Sequence, residues 1–274
     1  MAAVPRAAAT VVLLRDGRGG LEAYLQRRPM GMGFAGGLWV FPGGRVDEAD
    51  RDPAVEAAWA GPPAAEWAER LGLGIEEARG HVVAACRETL EEAGLLLATP
   101  PPGVVEVAAA RRELLAGSAG LAELLARLGV QLDTGRLRSW GWWVTPEAEP
   151  RRYDTRFFLA GLPADAAVTA HLAEAERERW LPPVEAAADQ RLPMLPPTRY
   201  TLRDLAGFGS VAEALAAAAD RRVERVLPVL DGAELVMPWG ERYPVPAPPP
   251  DATGPEAGGQ DQREARGGRS AVGS

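Results

Sequence analysis

The sequence predicts a mixed α/β (α+β) domain, on three observations. Strand-like apolar stretches recur along the chain, and helical stretches stand between them. One helix, from about Ile75 to Ala93, sets Ile75, Val82, Val83, Cys86 and Leu90 on one side and Glu88, Glu91 and Glu92 mostly on another. That division suits a helix packed on a sheet with its acidic face turned to a cleft.

The elements follow in order. Residues 8–15 and 21–28 read as strands around the Gly-rich turn DGRGG. GMGFAGG at 31–37 contains the spacing G-x-G-x-x-G, but LWVF and Pro42 follow it, which is no crossover helix. A dinucleotide site therefore fails its structural context, and a flexible loop beside the active site is expected. WVFPGG at 39–44 reads as a short strand ending in a turn. Pro62 and Pro63 start a short helix carrying Trp67 and Leu71, and Gly72 and Gly74 end it. Gly94 is a natural C-cap for the acidic helix. Residues 104–129 are helical, ending at a glycine cap. Strands are expected around Trp140–Val144 and Arg156–Leu159. Alternation puts Trp140 and Trp142 on one side of their strand and Trp143 on the other, chiefly as core packing. The stretch 168–188 reads as strand, loop, strand and helix start. Helices follow from about Pro197 to Ala206 and from Val211 to Ala219, then a hairpin over 223–239 turning at Asp231-Gly232. These elements give one domain over 6–245. The Pro/Gly-rich polar tail, 246–274, is expected to be disordered.

Composition narrows the function. The chain has 274 residues, a net charge of −8 and a pI near 5.1, so broad nucleic-acid affinity is excluded. Every basic residue is arginine, which rules out a P-loop lysine and a Schiff-base lysine. No apolar run approaches the ~20 residues of a membrane span, and the N-terminus makes no convincing signal peptide. The single cysteine, Cys86, fits a reducing compartment and the C-terminal AVGS is no peroxisomal address, so the cytoplasm is expected. His81 and His171 alone do not make a zinc site. The oligomeric state is open, a homodimer included.

Glu88, Glu91 and Glu92 stand at i, i+3 and i+4. Like charges so spaced cost an isolated helix roughly 0.2–0.5 kcal/mol per pair, which a divalent cation reverses. Oxygen-only ligands suit Mg²⁺ or Mn²⁺. Glu88 and Glu92, one turn apart, can hold a cation, with Glu91 completing that shell or a second. Gly43 and Gly44 let backbone approach a phosphate. Arg27, Arg28, Arg151 and Arg152 are candidate substrate contacts, and the acidic run holding Glu174, Glu176 and Glu178 offers a second general base.

FPGG at 41–44 and RETLEEAGL at 87–95 resemble the two ends of the Nudix box. Gly44, Arg87, Glu88, Glu91, Glu92, Gly94 and Leu95 match its pattern. Asp50 stands where a glutamate is expected, and the spacer from Arg51 to Cys86 is far longer than seven residues. Such a split box resembles the coenzyme A diphosphatase branch. Arg27 to Gly44, WVTPEAEPRRYDTRFF at 143–158 and LPPTRYTLRDLA at 195–206 are similar to that branch too. The resemblance implies a Nudix α/β/α sandwich with a central mixed sheet. An insertion over about 51–80 and C-terminal helices over about 195–222 enlarge it. It implies Glu88 and Glu92 as metal ligands, Arg87 orienting the glutamates, and Arg27 and Arg28 near a 3′-phosphate. Glu88 ranks first as general base, before Glu176 or Glu178. The expected reaction is Mg²⁺- or Mn²⁺-dependent hydrolysis of a small nucleotide, coenzyme A or an acyl derivative, to 3′,5′-ADP and a phosphopantetheine. The alternatives are an ADP-ribose, NADH or nucleotide-sugar pyrophosphatase, and a non-catalytic nucleotide sensor.

Overall fold

The computed structural model describes residues 2–32, 35–171 and 175–245. In chain order the first elements are β1 (Arg6–Gly17), β2 (Gly20–Arg27), β3 (Trp39–Val40), β4 (Gly43–Arg45), β5 (Trp59–Ala60), α1 (Ala64–Leu71), α2 (Ile75–Ala93) and β6 (Ala98–Thr99). Then come α3 (Val104–Leu115), α4 (Leu121–Leu128), β7 (Gln131–Asp133), β8 (Leu137–Val144), β9 (Tyr153–Gly161), β10 (Arg177–Leu181), α5 (Pro183–Ala188), α6 (Pro196–Leu205) and α7 (Val211–Ala219). The last strands are β11 (Arg225–Val226), β12 (Val229–Asp231), β13 (Glu234–Val236) and β14 (Arg242–Pro244).

The main sheet runs β10-β2-β1-β9-β8-β11, with β3 beside β2 and β4 beside β1. It is mixed: β1 and β9 are parallel at its centre and β8 and β11 are parallel at one edge, while β1–β2, β2–β10 and β8–β9 are antiparallel. Strand β1 shows why both faces are covered. Ala9, Val11 and Leu13 point into one core with Val82, Val83, Cys86 and Leu90 of α2. Val12 and Leu14 point into a second core with Leu202 and Leu205 of α6 and Ala214 of α7. Apolar residues at successive positions serve both sides of a pleated strand, giving the α/β/α layering. A separate three-stranded sheet, β12-β13-β14, adds Leu235 to the second core.

The segment from Glu48 to α2 builds two 3-10 turns (Glu48–Arg51 and Pro53–Ala58), β5 and α1. Strand β5 pairs with β7, which also pairs with β6. Trp67 of α1 lies edge-on to Phe158 of β9, with centroids 5.9 Å apart, which anchors this segment in the first core.

Four expectations are corrected. Trp140 and Trp143, not Trp140 and Trp142, share a face. An irregularity between Ser139 and Gly141 leaves Trp140 without a partner in β9, so the bulge resets the alternation. Both rings lie in the second core; Trp142 stacks under the Arg156 guanidinium at 3.7 Å on the opposite face. Residues 168–171 are not a strand: Thr169 and His171 donate backbone N–H groups to the carbonyls of Ala93 and Glu92, running along the end of α2. The helical stretch 104–129 breaks in two, because Gly117, with φ +65°, takes a conformation helices do not hold. The late hairpin turns at Gly232-Ala233, one residue beyond the expected pair, with Asp231 opposite Glu234. The tail 246–274, Gly33, Phe34 and Glu174 lie outside the described residues.

Candidate active site

Helix α2 starts after Gly74 and ends at Gly94, whose φ of 68° gives the left-handed cap that closes the helix. Its last two turns face β4, which pairs with β1. A cleft of about 730 Å³ opens there, lined on one side by Gly43, Gly44, Glu88, Glu91 and Glu92. Both glycines are required by close approach. A Cβ on Gly43 would sit 2.5 Å from the Ala9 carbonyl oxygen, and one on Gly44 would strike the Glu88 carboxylate.

Arg87 organises the acidic face. Its Nε and Nη2 donate to the two oxygens of Asp50, each at 2.9 Å. Its Nη1 donates to Glu88 at 2.8 Å and Glu91 at 3.2 Å, and Nη2 also reaches the Arg45 carbonyl at 2.8 Å. Five bonds match the five N–H donors of a guanidinium, which leaves none for a substrate. Asp50, only 2% exposed, thus fills the place where the box pattern has a glutamate. Its Oδ2 also accepts from the Asp47 N–H at 2.8 Å.

Glu92 is held differently. It accepts from Gln26 Nε2 at 2.5 Å and from the Gly43 N–H at 3.0 Å. Burial pushes Glu88 up to about 7, against the opposing pull of Arg87 and with repulsion from Glu91 adding to the rise. Burial also raises Glu91. Arg111 of α3 donates to the backbone carbonyls of Glu91 at 2.9 Å and Glu92 at 3.2 Å, tying down the end of α2.

Among the described residues, no three His, Cys, Asp or Glu side chains converge as a cation cage. Glu88 and Glu91 turn toward Arg87, and Glu92 toward Gln26 and Gly43. The donor set still fits a hard divalent cation. It is all oxygen, and it holds more carboxylate than one arginine neutralises.

The remaining expected residues are dispersed. Arg28 lines the cleft, joined by Arg45. Arg27 donates through Nε to the Gly37 carbonyl at 3.0 Å, bracing the glycine loop. Arg152 is buried and donates to the carbonyls of Thr145 and Ala3, at 3.1 and 2.7 Å, outside the cleft lining. Glu176 accepts from the Met30 N–H, and Glu178 from the Tyr24 hydroxyl and the Ala170 N–H. Neither glutamate lines the cleft, because β10 lies at the far edge of the sheet. Sequence reasoning missed Gln26 and Arg111. A glutamine among the apolar residues of β2 was a signal; Arg111 gave none.

The family description NUDT19 Nudix domain matches residues 68–205. The chain is a Nudix hydrolase. Acyl-coenzyme A diphosphatase NUDT19 of Homo sapiens is 30% identical to it over 273 residues, covering 80% of this chain and 71% of the relative. The protein of the same name in Gallus gallus is 30% identical over 288 residues, covering 85% and 75%. Among solved structures, a NUDIX hydrolase from Alicyclobacillus acidocaldarius superposes with a TM-score of 0.65 at 30% identity, covering 78% of this chain and 96% of that one. This Nudix hydrolase is accordingly a pyrophosphohydrolase, built on a mixed sheet between helical layers. No helix among its described residues is long and apolar enough to cross a membrane.

Proposed function

We propose that this Nudix hydrolase cleaves the pyrophosphate of coenzyme A or an acyl-coenzyme A, yielding 3′,5′-ADP and an (acyl-)phosphopantetheine. The observation that carries this reading is a cleft with two kinds of wall. The acidic helix and Gly43-Gly44 form one; Phe41, Trp143, Phe157, Leu195 and Leu235 form the other. Coenzyme A has both matching parts, a diphosphate and a long uncharged arm. The names carried by the human and chicken relatives support the same substrate class.

Glu88, Glu91 and Glu92 would hold Mg²⁺ or Mn²⁺. A bound cation supplies Lewis-acid polarisation of a phosphoryl oxygen and a more acidic water. The chain's own residues do the rest. Gly43 and Gly44 bring backbone close to the phosphates, Arg28 and Arg45 offer positive charge at the cleft wall, and Arg87 fixes the glutamate rotamers. Glu88, which lines the cleft beside Gly44, accepts the proton of the attacking water at its carboxylate.

The test is a hydrolysis screen with Mg²⁺ or Mn²⁺ over coenzyme A, acyl-coenzyme A, NADH, ADP-ribose and sugar nucleotides, run on wild type and Glu92→Gln. Coenzyme A cleavage that vanishes in the variant is expected. Turnover of ADP-ribose with coenzyme A left intact would overturn the substrate, and Glu92→Gln turning over normally would overturn the site.

A further inference from the structure

Gln26 is fully buried on β2, on the strand face that also carries Tyr24 toward α2. Its Nε2 donates to Glu92 Oε2 at 2.5 Å, and the Gly43 N–H donates to the same oxygen at 3.0 Å. Its own Oε1 is buried with no hydrogen-bond partner. Leaving a buried acceptor unsatisfied is costly, so packing alone favours an apolar residue at this position. Glutamine at this point does one thing an apolar residue cannot: donate to an ionised carboxylate.

Its charge matters as much as its donor. An arginine here would hold Glu92 equally well but would neutralise it, weakening the carboxylate as a cation ligand. An amide fixes the carboxylate and brings no charge. Arg87 is a cation shared by Glu88 and Glu91, whereas the groups that Gln26 and Gly43 present to Glu92 are neutral N–H donors.

We propose that Gln26 is a positioning residue for the reaction: its neutral amide fixes the Glu92 carboxylate in the orientation in which it takes a divalent cation. This rests on the reading of Glu92 as a metal ligand. Loss of a hydrogen bond to an ionised group, here in Gln26→Met, is expected to weaken cation binding about ten-fold, equivalent to roughly 1.4 kcal/mol.

The experiment titrates wild type, Gln26→Met, Tyr24→Phe and Glu92→Gln with Mn²⁺, following free Mn²⁺ by electron paramagnetic resonance, with thermal unfolding of each variant. Tyr24→Phe is the matched control. It removes a buried hydrogen bond from the same strand face, between Tyr24 and Glu178 at 2.8 Å, without touching Glu92. The expected result is weaker Mn²⁺ binding in Gln26→Met, unchanged binding in Tyr24→Phe, and an unfolding temperature for Gln26→Met no lower than that of Tyr24→Phe. In the hydrolysis assay, Gln26→Met then needs more Mn²⁺ for half-maximal rate while KM for substrate holds. Wild-type affinity in Gln26→Met, or an equal loss in Tyr24→Phe, overturns the role of Gln26. No Mn²⁺ binding by wild type, or none lost in Glu92→Gln, instead overturns the metal reading beneath it.

Discussion

Arg87 and Asp50 form the pair on which the acidic face depends, since one bidentate contact takes two of the five guanidinium donors, the Arg45 carbonyl takes a third and two glutamates share the rest. Removing Asp50 leaves two buried guanidinium donors unsatisfied while Glu88 and Glu91 still offset the charge, a cost of about 1–3 kcal/mol. Asp50→Ala is therefore expected to lose stability of that order in urea unfolding, and Asp50→Asn less, since an amide oxygen still accepts. Little or no loss in Asp50→Ala would mean Arg87 finds other partners. Glu88→Gln is expected to lower kcat by roughly 10²–10⁴-fold with the fold intact by circular dichroism; a rate near wild type would move the base elsewhere. His81 gives a pH signature. Burial holds its ring below the ordinary value, and its Nδ1–H donates to the Glu77 carbonyl at 2.8 Å. The unfolded chain then binds the proton more readily, so stability is full above about pH 6.5 and falls as pH drops below it. Replacing His81 with Gln should flatten that acid limb; an unchanged limb would show that other groups set it. At this scale the sequence was legible for the glutamates and Gly44, whose spacing speaks directly. It was not legible for Arg152, since nothing in an Arg-Arg pair says that one of them is buried on backbone carbonyls.

Helix α2 was readable at both ends, because Gly74 and Gly94 punctuate it. Strand β8 was not, because a bulge depends on its neighbour's register rather than on its own residues. The same holds for 168–171, whose backbone is used by the end of α2. Two glycine caps offer a paired test of how α2 is held. Gly72 and Gly94 have φ of 63° and 68°, so alanine strains both alike, by about 1 kcal/mol. At Gly72 the added Cβ meets open space; at Gly94 it comes within 3.0 Å of Arg111 Nη1. Gly94→Ala is thus expected to lower the unfolding temperature more than Gly72→Ala and to reduce kcat, since Arg111 would be displaced from the Glu91 and Glu92 carbonyls. Equal effects in the two variants would show that Arg111 contributes nothing to the helix end.

For the whole molecule, two cores on either side of one sheet carry the stability, and Cys86 reports on the first. It is fully buried, and burial raises its thiol well above the ordinary value. A thiol reagent should leave it untouched in the native state at pH 8 and label it with the same denaturant midpoint as the loss of circular dichroism. Labelling at lower denaturant would reveal a separate opening of the α2 layer. The layered architecture was expected from the Nudix resemblance, and β1 shows its physical basis in apolar residues at successive positions that serve both faces. The placement of β10 was not, and that separates Glu176 and Glu178 from the cleft. The Asp50–Arg87 contact spans 37 positions of chain. Such a contact fixes where the two ends of the stretch meet and is indifferent to the distance travelled between them. Doubling a flexible connection costs only about 0.6 kcal/mol, so length added at an exposed turn of this stretch leaves the Arg87 site in place, whereas α1, anchored in the first core by Trp67, is not free to be shed.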